Sequence, residues 1–102
     1  MKKIKIILEY KCYPMWIYNE ENEFIDNDLV EELKDDVEVD SILMNIQETY
    51  DKLYEDDEVS FEYEGFKDEN EKKKFILEIQ GVIDLIKLKV ADKYIVENCI
   101  DV

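Results

Sequence analysis

Histidine and arginine are both absent from this 102-residue sequence, so every one of its 13 basic residues is lysine. Without histidine there is no imidazole general base, no Ser-His or Cys-His nucleophile pair and no histidine-ligated zinc. Without arginine there is no bidentate phosphate fork and no arginine finger. These absences weigh against an enzyme before any motif is considered. Glycine and proline are scarce, at two and one. Gly65 and Gly81 are isolated, so no phosphate-cradling loop can form. The two cysteines, Cys12 and Cys99, are too few for a disulfide framework or a four-thiolate zinc site, and they are expected to be free, buried thiols. No run approaches the roughly 18 apolar residues of a membrane span. The opening Met1-Lys2-Lys3 is followed by apolar residues that Lys5 and Glu9 interrupt, so it reads as a strand rather than a secretion leader, and the expected compartment is the cytoplasm.

Apolar residues make up 46% of the chain and aromatic ones 12%, enough to close one hydrophobic core, so residues 1–102 are expected to form a single acidic domain. Disordered chains of high charge are poor in aromatics and rich in proline and glycine, the reverse of this composition. With 28 acids the formal net charge is −15. Nucleic acid and anionic lipid would repel such a chain, and a basic protein would attract it.

Residues 4–10 alternate Ile4, Ile6, Leu8 and Tyr10 with Lys5, Ile7 and Glu9, which predicts a first strand. Pro14 is placed at the start of a second strand through Met15–Tyr18, and residues 19–22 turn into a third over residues 23–26. Asn27-Asp28 offers an N-cap for a short helix with Glu31 and Glu32 in its first turn. Asp40 or Ser41 caps a helix of about four turns in which Ile42, Leu43, Ile46, Tyr50, Leu53 and Tyr54 share one face. Val59, Phe61 and Tyr63 alternate with polar residues in a strand that Gly65 ends. Asp68 and Glu71 form a capping-box pattern ahead of a long helix whose stripe runs Phe75, Ile76, Ile79, Val82, Ile83, Ile86 and Val90. Gly81 inside that helix costs roughly 1 kcal/mol relative to alanine and is read as permitting close approach of a neighbouring backbone. Residues 94–100 close the chain as a strand. The order β-β-β-α-α-β-α-β predicts an α+β fold, an antiparallel or mixed sheet of about five strands with helices packed on one face.

Charge is unevenly distributed. Residues 19–64 hold 19 acids and 2 lysines, a net of −17, while the other residues hold 9 acids and 11 lysines, a net of +2. Each acidic run alone fits a solvated face that favours solubility. Together they concentrate self-repulsion on half of a small chain, and a polarised acidic face is what electrostatic steering to a basic partner requires. The partner-binding residues selected on this basis are Glu31, Glu32, Asp35 and Asp36, then Glu48, Asp51, Tyr54 and Glu55, with Asp56, Asp57 and Glu62 beyond them. Glu48, Asp51 and Glu55 fall opposite Ile42, Ile46 and Leu53 on a helical wheel.

Clustered carboxylates also serve calcium sites and glycosidases, but the sequence fits neither. Asp26 and Asp28 begin an Asp-x-Asp pattern, but Glu31 stands where a calcium loop needs glycine. Asp56-Asp57-Glu58 runs straight into a predicted strand, and no metal or other cofactor is expected. The chain offers no evident cleft for a two-carboxylate glycosidase. Tyr13, Trp16 and Tyr18 around Pro14 suit either sheet packing or interface anchoring. Lys72, Lys73 and Lys74 read as the solvated start of the long helix.

The opening residues 4–10, the segment Cys12-Tyr13-Pro14-Met15-Trp16-Ile17-Tyr18, the acidic turn at residues 19–22, Ile25-Asp26-Asn27-Asp28-Leu29 and residues 61–66 resemble small acidic immunity proteins of bacterial polymorphic-toxin and contact-dependent growth inhibition systems. The resemblance implies a cytoplasmic antitoxin that binds the C-terminal domain of one toxin, often a basic nuclease, and blocks its active site or substrate groove. It assigns no binding residue. Two further functions remain open on the sequence: a nucleic-acid mimic that inhibits a DNA- or RNA-binding protein, and an acidic scaffold subunit with no inhibitory role.

Overall fold

The computed structural model describes residues 1–56, 61–63, 65, 66 and 68–100. Strand β1, Lys2–Ile6, is the centre of a four-stranded mixed sheet. It pairs antiparallel with β2, Met15–Tyr18, which in turn pairs with β3, Phe24–Asp26. On its other side β1 runs parallel to β6, Tyr94–Asn98, giving the order β3-β2-β1-β6. A parallel neighbour demands a long crossover, and the rest of the chain supplies it. That crossover contains a 3₁₀ turn at Glu31–Leu33, helix α1 at Val37–Asp51, a hairpin of β4, Tyr54–Asp56, with β5, Phe61–Tyr63, and helix α2 at Glu69–Val90.

Period-two alternation fixes which side of the sheet is covered. Ile4, Ile6 and Met15 are wholly buried, and Ile17 and Val96 lie opposite Ile4 on the same face. These residues pack with Val39, Leu43 and Ile46 of α1 and with Phe75, Ile79, Val82, Ile83, Ile86 and Val90 of α2 in one core. The other face carries Lys3, Lys5, Trp16, Tyr18, Ile95 and Glu97. There the Phe24 ring stands 5.8 Å from Trp16 and 5.9 Å from Tyr18, and the Lys5 ammonium lies 4.4 Å over the Tyr18 ring.

The α+β class, a mixed sheet and the long capped helix agree with the sequence reading. The sheet has four strands rather than about five, because β5 pairs with β4 in a separate two-stranded sheet. Leu53 and Tyr54 continue the apolar spacing of α1 yet lie beyond its end, and Tyr54 opens β4 instead. The capping residue of α1 is Asp36, whose carboxylate accepts from the Val39 N–H at 3.0 Å, not Asp40 or Ser41. The predicted short helix contracts to the 3₁₀ turn. Ile76 leaves the core stripe and is 43% exposed. Among the described residues outside its own helix backbone, nothing lies within 4 Å of where a Cβ on Gly81 would stand, so no close approach there requires the glycine. Both cysteines are free, but Cys12 is half-buried and Cys99 exposed. Val59, Ser60 and Glu64 lie outside the described residues.

Candidate functional site: the acidic surface of helix α1

Helix α1 is fastened along two edges and open between them. On one edge, three bonds tie it to the loop after β1: the Tyr13 hydroxyl donates to Asp40 at 2.7 Å, Gln47 Nε2 to the Glu9 carbonyl at 3.0 Å, and the Lys11 N–H to Asp51 at 2.8 Å. Burial, and then the Asp40 hydrogen bond, push the Tyr13 phenol well above its ordinary value. On the other edge α2 supplies Lys89, which pairs with Asp36 and lies 3.8 Å from Glu38, and Glu78, which accepts from Asn45 at 2.7 Å. The open strip between these edges follows the i, i+4, i+7, i+11 rule through Val37, Ser41, Met44 and Glu48. Val37 is 76% exposed and Met44 46%.

The selected acids fall into two groups at the two ends of α1, roughly 20 Å apart at 1.5 Å per helical residue. At the N-terminal end, Glu32 accepts from the Tyr94 hydroxyl at 2.8 Å and faces Lys93 at 4.0 Å. The Tyr94 hydrogen bond holds the Glu32 carboxyl below its usual range, while burial and Glu32 push the Tyr94 phenol up to about 12. Lys89 lowers Asp36 in the same way. Asp28 is lowered by Lys34, 2.6 Å away. Glu31 and Asp35 are exposed and have no cation within ion-pair distance among the described residues.

At the C-terminal end Glu48 is likewise exposed and unpaired among the described residues. Asp51 is half-buried and occupied, since its Oδ1 receives both the Lys11 N–H and Gln47 Nε2. It is a fastening of the loop, a role the helical wheel concealed. The Tyr54 hydroxyl lies 2.7 Å from that of Tyr50, and its ring 5.1 Å from Tyr10. Glu55, Asp56 and Glu62 occupy the β4–β5 hairpin, where Glu55 is register partner to Glu62, and Asp57 falls outside the described residues. Beside this end a 490 Å³ groove opens between α1 and α2, lined by Leu53, Phe66 and Phe75 together with Lys52, Lys74 and Glu71. Sequence reasoning passed over Val37 and Met44, although their spacing with Glu48 was the signal that marks them as one strip.

Among the described residues no group of three carboxylate or thiol side chains could hold a metal ion, and no helix is long and apolar enough to cross a membrane. The arrangement is chemically simple: carboxylates, two exposed apolar side chains and a shallow groove. Fold and surface together define a small acidic α+β protein whose charged helix is presented rather than covered. A family profile described as Serratia CdiI immunity protein-like matches residues 2–99, and the chain belongs to that family of contact-dependent inhibition immunity proteins. No curated protein matches the chain.

Proposed function

We propose that this protein neutralises a cognate toxin domain in the cytoplasm by binding it, without catalysis of its own, and that the toxin is a basic protein of the nuclease type. The observation that carries the reading is the open strip of α1. Glu31 and Asp35 before α1 and Glu48 near its end, without ion-pair partners among the described residues, flank exposed Val37 and Met44 in sequence, on a chain whose family is one of immunity proteins. A nuclease presents cationic groups to phosphate, and carboxylates can compete for the same groups. Charge alone is unselective, so the apolar side chains supply the contact that distinguishes one toxin from another. Glu32, Asp36 and Asp51 support this surface through their internal bonds, and we extend it to the acids Glu55, Asp56 and Glu62 of β4 and β5.

The test is co-expression with the toxin encoded beside the gene, followed by binding kinetics at low and high salt. Replacing Glu31, Asp35 and Glu48 together with lysine is expected to lower the association rate at least tenfold at low salt. Met44→Ser is expected to act mainly on the dissociation rate. Unchanged rates and unchanged protection in both variants would exclude this surface. Capture of many basic proteins, all released near ~0.5 M salt where the Debye length is a few ångströms, would favour nucleic-acid mimicry instead.

A further inference from the structure

The sheet has two edges, and they are built differently. β3 has three residues, sits beside a register irregularity at Ile17/Tyr18 and ends on Asp26, all devices that discourage strand addition. β6 has five residues, Tyr-Ile-Val-Glu-Asn, with no lysine, proline or bulge. The Cys99 N–H donates to the Ile6 carbonyl at 3.0 Å, so by alternation Ile95 and Glu97 also face β1 with their backbone groups. The N–H and C=O groups of Tyr94, Val96 and Asn98 therefore point away from the sheet. No other strand pairs with them among the described residues.

We propose that this edge pairs with β6 of a second copy of the chain, antiparallel about a two-fold axis through Val96, so that two four-stranded sheets become one. The strand is self-complementary in that register. Val96 meets Val96, Tyr94 meets Asn98, and Ile95 meets Glu97, while the flanking Lys93 meets Cys99, so no like charges oppose one another. The outward-facing residues 94, 96 and 98 fall into the hydrogen-bonded pairs, as the ladder needs. Ile95, 41% exposed, falls into the closer non-hydrogen-bonded pair, beside the Glu97 carboxylate that Lys3 holds at 3.9 Å. Charge distribution selects the same place. β1 and β6 both come from the part of the chain with a net charge of +2, and Glu32, which reaches the start of β6 from the acidic part, is engaged there by the Tyr94 hydroxyl and faces Lys93.

The experiment is sedimentation equilibrium of the full chain from roughly 10 μM to 1 mM, the range in which a self-association with a dissociation constant between those concentrations is visible. A reversible dimer that tightens with added salt is expected, because screening removes the long-range repulsion between two anionic molecules. Ile95→Glu places a carboxylate opposite Glu97 twice over and should weaken the dimer about tenfold, whereas Ile95→Lys should pair with Glu97 and hold or tighten it. Val96→Pro removes an outward N–H, leaves the bonds to β1 in place and should abolish dimerisation. Ile95 is exposed, so its two variants decide the matter even if the proline variant fails to fold. Equal effects of the Glu and Lys variants, or a monomer at every concentration, would overturn the proposal. A monomer whose Val96 amide becomes protected from exchange only with toxin bound would overturn it too, and would give the edge to the toxin.

Discussion

Among the described residues Gln47 is the one buried polar side chain, 7% exposed, and its bonds are lopsided. Nε2 serves both the Glu9 carbonyl and Asp51, while Oε1 has no partner among the described residues. Through Asp51 it helps hold Lys11 at φ 57°, a left-handed conformation that costs a non-glycine residue about 1 kcal/mol. Gln47→Glu would keep the shape and replace the donor with a carboxylate facing Asp51. It is expected to destabilise the protein by about 2–4 kcal/mol at pH 7. Burial and the neighbouring charge would raise the new carboxyl above its unfolded value of about 4.3. The neutral form is then the favoured one in the folded state, so the deficit relative to the parent is small below that unfolded value and grows as pH rises through the folded one. Urea denaturation of both proteins at pH 7 and pH 5 checks this, and an equal deficit at the two pH values would refute it.

Among the elements, α2 contains a glycine without an internal purpose. Gly81 sits mid-helix, exposed, with no atom of the described residues beyond its own helix within 4 Å of a Cβ position, so Gly81→Ala is expected to stabilise the chain by about 1 kcal/mol. A higher midpoint in thermal or urea unfolding, with an unchanged urea slope, is the expected result; a loss of stability would mean that the site is occupied. Elements with a single strong local signal were legible in the sequence. The alternation at β1 and the Asp68 cap of α2, whose carboxylate accepts from the Asn70 N–H at 2.8 Å, are examples. Elements decided by distant partners were not. Leu53 and Tyr54 extend a helical period, yet they turn into β4, whose partner β5 begins several residues later. Asp36 and Asp40 are equally good caps in isolation. Pairing with Lys89, 53 positions away, accompanies the choice of Asp36, while Asp40 is taken by Tyr13. The acidic surface was legible as composition, but Asp51's occupation depends on Lys11, 40 positions earlier.

At the scale of the whole molecule, charge opposes folding. The described ion pairs engage Lys3, Lys34, Lys89, Lys93 and the N-terminal amine, and exposed pairs of this kind each contribute little. A net charge of −15 on 102 residues leaves most carboxylates repelling one another. Raising sodium chloride from about 10 mM to about 0.5 M shortens the Debye length from roughly 30 Å to a few ångströms and is expected to raise the melting temperature. A flat or falling melting temperature would mean that local ion pairs outweigh the global repulsion.

The parallel pairing of β1 with β6 also orders events during synthesis. Ile4 and Val96, neighbours in the sheet, are separated by about ninety residues, so the central strand acquires its second neighbour only after nearly everything between them has been made. A ribosome that has released β1, β2 and β3 has produced a three-stranded sheet in which β1 is still unpaired on one side and the apolar face is uncovered. Helices α1 and α2 must then be made before that face is covered, and β6 before β1 is paired on both sides. Completion of the sheet is thus gated by the synthesis of β6, and interruption before β6 leaves a fragment whose central strand lacks that neighbour.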